Sequence, residues 1–215
     1  MSTLYGRIGS FVQAACGCTT DERTGELVSI CPDHNQDKAR VGDWIQTYMG
    51  VQFWPQDPLP EDVRLLDIAH ALSNLCRFTG HSTHFYSVAQ HSVHVSEQVP
   101  ADDAKWGLMH DAAEAYLGDM PRPIKRNSQV GLEYEIVEHR LLRVICRKFS
   151  LPVVRPMSIT LADDVLLMTE KRDLCPNSPA KWQETAKPLT EKIIPWTPKL
   201  AEHNFLQRAK ELGLA

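Results

Sequence analysis

Three ionisable side chains interrupt a mostly apolar segment near the middle of the chain. The sequence DDAKWGLMHDAAEAYL over residues 102–117 predicts a helix rich in Trp, Leu, Met, Ala and Tyr, yet it carries His110, Asp111 and Glu114. Helical spacing of three and four residues brings these side chains to one flank. Burying them is costly unless they pair with one another or bind a cation. The spacing alone therefore leaves two interpretations, a paired polar cluster or a metal site.

Two other predicted helices carry matching ligands. His91 lies in SVAQHSVHVSE, and Asp163 and Asp164 lie in the apolar segment ITLADDVLLMTEKRDL. One histidine, a His-Asp pair and one aspartate would give two nitrogen and two oxygen ligands, which suit Mn, Fe, Co, Ni or Zn better than Ca. Such an ion lowers the pKa of the water that it binds, so that hydroxide can attack phosphorus near neutral pH. Glu114 could take or give the proton.

Short motifs follow one another in a defined order over roughly residues 42–212. They are Arg77-Phe78, Gln90-His91-Ser92, His110-Asp111-Ala112-Ala113-Glu114, Gly118-Asp119-Met120-Pro121-Arg122-Pro123-Ile124-Lys125 and Asp163. This ordered set resembles the nucleotidase branch of the HD-domain phosphohydrolase superfamily, an all-helical fold named for its adjacent His-Asp pair. That branch includes bacterial 5′-deoxynucleotidases and phage dATP triphosphohydrolases.

The resemblance implies roles for the matching residues. Glu114 matches the residue that positions or activates the attacking water. Arg77 matches an arginine that contacts substrate, a role for which the forked guanidinium suits a phosphate. The implied metal ligands are His91, His110, Asp111 and Asp163, with Asp163 preferred to Asp164 because Ala-Asp before a Leu-rich run matches the last motif of the family.

The same resemblance implies further substrate contacts. Phe78 stands where family members often have Trp, so stacking on a base is retained. Asp119 could accept a hydrogen bond from the sugar 3′-hydroxyl, and Lys125 is a second phosphate contact. Arg122 and Arg126, in the same basic run, slightly favour triphosphate substrates.

Other polar residues near these motifs are expected to stabilise the fold. Glu170 lies seven residues after Asp163 on the same helix face and is expected to pair with an arginine such as Arg77. His70 and His94 are expected to make structural contacts.

A separate group of thiols lies near the N-terminus. Cys16, Cys18, Cys31 and His34 supply three thiolates and an imidazole, which can form a structural zinc site, although the CxC spacing is tighter than usual. Unligated thiols are an equal alternative, and redox work is a minor one.

Composition restricts the class of protein. The chain has 215 residues, with 43% hydrophobic and 23% charged side chains, and a formal charge of −4. An acidic pI near 6.1 argues against binding nucleic acid through bulk charge. No apolar run approaches the roughly 18 residues of a membrane span, and the N-terminus has no signal-peptide core. We therefore expect a cytoplasmic protein, in the host cytoplasm if a phage encodes it.

The predicted architecture is all-α: an HD-domain helical bundle over 41–215 preceded by a Cys-rich N-terminal arm over 1–40. Residues 41–53 fit either a short helix or a hairpin, and 54–60 must form a loop because of their prolines. Helical periodicity predicts helices at about 61–75, 84–98, 102–117, 129–149 and 158–174, and a last amphipathic helix after an extended connection.

The expected function is that of a metal-dependent phosphohydrolase of nucleotides, either a dNMP 5′-nucleotidase or a dNTP (dATP-like) triphosphohydrolase. Its cofactor would be one divalent transition metal, with a structural zinc as a second ion if the cysteines bind one. Two alternatives are an HD hydrolase of a signalling nucleotide and a non-catalytic nucleotide-binding module. The expected partners are a small-molecule nucleotide and further copies of the chain in a homo-oligomer, and neither a membrane nor nucleic acid.

Overall fold

The computed structural model describes residues 40–214 and, before them, the backbone of four short strands. The chain divides into two compact units, Met1–Val41 and Gly42–Ala215. In the first unit, strands β1 (Tyr5–Ile8), β2 (Phe11–Ala14), β3 (Thr19–Asp21) and β4 (Leu27–Ser29) form an antiparallel sheet in chain order. The all-α expectation did not include this sheet, because strands of three or four residues are too short to show alternation. Cys16, Cys18, Cys31 and His34 lie outside the described residues.

The second unit is mostly helical, as predicted for the chain. Residues 41–53 form a hairpin, with β5 at Ile45–Gln46 and β6 at Gln52–Phe53, which decides between the two alternatives left open. The helices are α1 (Leu65–Asn74), α2 (Val88–Gln98), α3 (Ala104–Met109), α4 (Glu114–Leu117), α5 (Arg122–Asn127), α6 (Gln129–Lys148), α7 (Met157–Leu174) and α8 (Pro198–Glu211).

Side-chain caps determine where several helices begin. Ser87 accepts a hydrogen bond from Gln90 N at the start of α2, and Ser128 accepts one from Gly131 N at the start of α6. Each cap satisfies a backbone donor that the first turn of a helix leaves unpaired. Gly118, in a left-handed conformation with φ 81°, ends α4.

The predicted helix over 102–117 is broken in the middle. Helix α3 ends at Met109 and α4 begins at Glu114, and the turn between them is tightened. Ala112 N donates to Met109 O at 3.0 Å, and Glu114 N donates to Asp111 O at 3.0 Å, each spanning three residues instead of four. The turn contains the His-Asp pair, so its geometry differs from that of two neighbours on a straight helix.

Helix α2 lies at the centre of the second unit. It packs against α1, α3, α7 and α8, and its valines at 88, 93 and 95 are buried. The last helix contributes Ala201, Phe205 and Ala209 to the same core, as its periodicity predicted. His91 and Gln90 on α2 are also fully buried, so polar groups lie inside an apolar core and need partners there.

None of the helices that the structure describes combines the length and the hydrophobicity needed to cross a bilayer.

Gly107 lies where α3 approaches α2 closely. A Cβ at this position would lie 2.8 Å from Ser96 Cα, a backbone atom that moves only if α2 moves. We expect Gly107→Ala to lower the free energy of unfolding by about 1–3 kcal/mol through overpacking. Chemical denaturation measures the effect. Lys105→Ala, on the exposed side of α3, is the matched control and should stay within about 0.5 kcal/mol of the parent; similar losses for both variants would contradict the packing argument.

Candidate metal centre and active site

Three predicted metal ligands meet in the interior of the second unit. His91 comes from α2, whereas His110 and Asp111 come from the turn after α3. One ligand atom of each lies within 4.8 Å of the others. His110 Nε2 is 3.1 Å from Asp111 Oδ2, and His91 Nε2 is 3.8 Å from the same oxygen. Both imidazoles are buried, so the cluster is shielded from water on the side of the core.

Hydrogen bonds at the far nitrogens orient both imidazoles. His91 Nδ1 lies 2.6 Å from Glu170 Oε1, and His110 Nδ1 donates to the carbonyl oxygen of Gly107 at 2.7 Å. Each ring therefore presents Nε2 to the cluster. Both Nε2 atoms are buried, and each lies near a carboxylate oxygen without a well-aligned hydrogen bond: His91 Nε2 is 3.2 Å from Asp163 Oδ1, and His110 Nε2 is 3.1 Å from Asp111 Oδ2. Histidines that ligate metals show this arrangement, in which Nδ1 donates to an outer partner and Nε2 is left for the ion.

Asp163 lies next to this group of three. Its Oδ1 is 3.2 Å from His91 Nε2, and its Oδ2 accepts a hydrogen bond from Arg122 Nη2 at 3.2 Å. Burial raises the pKa of Asp163, but the contact with His91 and the charges of His91 and His110 bring it well below its usual range. Asp164 turns toward Arg122 at 3.8 Å. The structure thus places Asp163 beside the group of three, in contact with His91.

The electrostatics of the cluster favour a cation. Burial raises the pKa of Asp111, but the charge and close contact of His110, with the charge of His91, outweigh burial and hold this pKa well below its usual range. For His91, burial and Arg77 lower the pKa, whereas Glu170 and Asp163 raise it to a net value of about 9. A proton on His91 Nε2 and a metal ion are alternative ways to offset the same carboxylates.

Glu170 joins the cluster to the predicted substrate arginine. Its Oε2 accepts hydrogen bonds from Arg77 Nε at 3.2 Å and Nη2 at 3.0 Å, which confirms the pairing expected from the sequence. The bond from its Oε1 to His91 was not foreseen. Arg77 Nη1 lies 3.8 Å from Asp111 Oδ2, so the guanidinium stands beside the cluster with its charge retained. A fully buried carboxylate therefore positions both a candidate ligand and a candidate substrate contact.

The turn that carries Arg77 is strained. Phe78 and Thr79 both adopt left-handed backbone conformations, with φ of 56° and 54°. This conformation costs roughly 1–2 kcal/mol for each residue with a Cβ. The residue before them is fixed by a backbone hydrogen bond, in which Arg77 N donates to Tyr86 O at 2.9 Å. Strain of this kind occurs mainly where function needs a defined geometry.

Glu114 points its carboxyl group into a buried environment. Its Oε2 has no hydrogen-bond partner. Burial, and next the charges of Asp111 and Asp119, raise the pKa of Glu114 well above its usual range. Burial also raises the pKa of Asp119. A carboxyl group with a raised pKa beside candidate metal ligands can store or release a proton.

Two side chains of the basic run after Gly118, Arg122 and Lys125, form ion pairs. Lys125 Nζ lies 2.5 Å from Glu138 Oε2 and 5.3 Å from the ring centre of Tyr134. Its role as a phosphate contact stays a prediction. Arg122, which was expected only as part of a basic run, pairs with Asp163, because the turn before α5 brings it to α7.

Two other histidines make structural contacts, as expected. His70 Nδ1 lies 2.9 Å from Glu202 Oε2, and His94 Nδ1 lies 3.2 Å from Glu97 Oε2.

Comparison with known proteins identifies relatives. The chain is 40% identical over 173 residues to the uncharacterized protein YfdR of Escherichia coli strain K12, an alignment that covers 79% of the chain and 96% of YfdR. It is 36% identical over 128 residues to the uncharacterized protein RCAP_rcc00048 of Rhodobacter capsulatus, covering 55% of the chain and 64% of that protein. No protein-family model matches the chain. The chain belongs to the same family as YfdR.

Removing the outer partner of His91 tests the candidate metal centre. We expect Glu170→Gln to weaken divalent metal binding about 10- to 100-fold, the usual effect of losing a hydrogen-bond partner behind a ligand. Competition with a chromophoric chelator measures the affinity, and circular dichroism checks the fold. Glu202→Gln removes an equivalent carboxylate from His70 and should leave metal affinity unchanged. Equal affinity in the parent and Glu170→Gln would argue against His91 as a ligand.

Proposed function

We propose that this protein is a metal-dependent phosphohydrolase of HD type that acts on nucleotides. The observation that carries the proposal is the convergence of two buried imidazole Nε2 atoms on the carboxylates of Asp111 and Asp163, without a well-aligned hydrogen bond between nitrogen and oxygen. A purely structural cluster would hold these nitrogens in well-aligned hydrogen bonds, because a poorly paired buried nitrogen costs free energy. A divalent ion bound by His91, His110, Asp111 and Asp163 satisfies them instead.

The ion would supply Lewis acidity toward phosphoryl oxygens and a lower pKa for water. The protein residues supply the rest of the chemistry. Arg77 is held by Glu170 on one edge, and its guanidinium can donate to phosphate oxygens and offset charge that develops on them. Glu114 holds or transfers a proton at Oε2. This buried acid also favours an enzyme over a binding module, which has no need of a proton-handling group.

Nucleotides are the proposed substrates because of the ordered motifs and of the groups around the cluster. Phe78 next to Arg77 provides an aromatic ring for a base, and Asp119 provides an acceptor for a sugar hydroxyl. Arg122, beside Asp163, adds a second guanidinium that favours substrates with more than one phosphate. The proposed substrate class therefore comprises deoxynucleoside mono- and triphosphates.

Release of phosphate or tripolyphosphate from the four dNMPs, the four dNTPs and their ribose forms tests the proposal. The assay is run with Mn, Co, Ni, Zn and Mg, with excess EDTA as one blank and Asp111→Asn as another. We expect release that depends on added metal and disappears in the variant. Release that persists at full rate in EDTA or in Asp111→Asn would contradict the proposed chemistry.

Neighbouring aspartates provide a matched pair for the same assay. We expect Asp163→Asn to lose both metal affinity and hydrolysis, because its carboxylate contacts His91. Asp164→Asn should retain most of both, because Asp164 contacts only the partly exposed Arg122 among the contacts described. Kinetics and metal titration of the two variants measure the difference, and the reverse order would assign the ligand to Asp164.

Glu114→Gln separates proton handling from metal binding. The substitution keeps size and hydrogen-bonding capacity but removes the titrating group, so we expect kcat to fall about 10²- to 10⁴-fold with bound metal unchanged. Steady-state kinetics and metal analysis of the same sample measure both quantities. A variant with parental kcat would remove Glu114 from the reaction.

A further inference from the structure

A tryptophan from the long loop between α7 and α8 reaches the strained turn beside the cluster. The ring centre of Trp182 lies 6.3 Å from that of Phe78, with the ring planes inclined at 56°. The Phe78 ring centre in turn lies 5.5 Å from the Arg77 guanidinium carbon. Asp111, Arg77, Phe78 and Trp182 therefore form a continuous row of contacts that begins at the candidate metal ligands.

Trp182 presents an aromatic surface to solvent. The side chain is 38% exposed, and the loop around it has no helix or strand that would bury it. Lys171 Nζ, from α7, lies 5.7 Å from the indole ring centre. Trp182 also lines a cavity of about 630 Å³, together with Lys171, Cys175 and Lys181. The indole and these lysines, with Glu184 also in the lining, leave one aromatic ring and an excess of cations facing an open volume, which suits a flat, anionic ligand.

The strain at Phe78 is a second, independent observation. A bulky residue in the left-handed region is unusual, and here it turns the ring of Phe78 toward Trp182 and beside Arg77. Ordinary core packing does not require this conformation, since Phe78 is only half-buried. A backbone held in this way is typical of positions that present a side chain to a ligand.

We propose that Trp182 is a specificity-determining residue, which together with Phe78 forms the surface that stacks on the heterocyclic base of the substrate. The inference rests on the proposed function and extends it: the enzyme selects phosphate esters of nucleosides over those of simple sugars. Stacking accepts every base because each has a π face. The stacking surface thus favours substrates that carry a base, and it distinguishes only weakly between one base and another. Trp182 belongs to a loop outside the ordered motifs.

Hydrolysis of dAMP and of 2-deoxyribose 5-phosphate tests the proposal, because the two substrates share phosphate and sugar and differ in the base. We expect Trp182→Ala to lower kcat/KM for dAMP about tenfold, the loss typical of one stacking contact, and to leave that for 2-deoxyribose 5-phosphate unchanged. Trp182→Phe should recover most of the loss. Trp44→Ala, which removes a similarly exposed indole from the N-terminal end of the second unit, is the control.

Equilibrium dialysis of dAMP in excess EDTA separates this inference from the proposed function. Weaker dAMP binding in Trp182→Ala than in the parent supports the stacking surface even if the parent hydrolyses nothing. Equal dAMP binding and equal kcat/KM ratios in parent and variant overturn it, even where hydrolysis itself is robust. Absence of dAMP binding to the parent overturns it as well.

Discussion

The buried carboxylate of Glu170 is the interaction on which the geometry of the site depends. It is fully buried, and it contacts His91 from α2 at 2.6 Å and Arg77, from the strained turn between α1 and α2, at 3.0 Å. A buried charge is tolerated only when it is paired, and removing one partner of such a pair costs about 3–5 kcal/mol. Burial raises the pKa of Glu170, but Arg77 and His91 bring the net value below the usual range. Helices α2 and α7 and the strained turn are therefore held in one arrangement.

This constraint determines the electrostatic character of the cluster. Among the described residues, Glu170, Asp111 and Asp163 all have a pKa below the usual range, and two guanidiniums, from Arg77 and Arg122, contact these carboxylates. The carboxylates of Asp111 and Asp163 lie beside the two Nε2 atoms. A cation between the two Nε2 atoms would offset both carboxylates, whereas burial and the charges of Asp111 and Asp119 raise the pKa of Glu114. The different environments thus suit Asp111 and Asp163 to bind a cation and Glu114 to carry a proton.

Local spacing in the sequence predicts part of this site. Carboxylates and imidazoles in apolar helices are costly, so His110, Asp111 and Asp163 stood out. The seven-residue spacing placed Glu170 on the helix face of Asp163, where an arginine such as Arg77 was the expected partner. Periodicity also predicted most helices of the second unit. It did not predict the break after Met109. There the His110 side chain donates to a backbone carbonyl, and backbone hydrogen bonds span three residues instead of four.

Local spacing does not predict most of the contacts between distant segments. The bond between His91 and Glu170 joins residues 79 positions apart, and the salt bridge between Arg122 and Asp163 joins residues 41 apart. Trp182 reaches Phe78 from a loop without periodicity. Such pairings depend on how the helices pack. A hydrophobic pattern is compatible with many packing arrangements, so it does not determine these pairings.

Gly107 shows how packing and chemistry coincide in this fold. Its missing side chain allows α3 to approach Ser96 of α2, and its carbonyl oxygen orients the ring of His110. Because His91 lies on that same helix α2, the approach of the two helices also influences the separation of the imidazoles, whose centres are 5.2 Å apart. A side chain at 107 would push α3 outward and move His110 with it. The distance between two candidate ligands is therefore governed by a residue that contributes only backbone atoms.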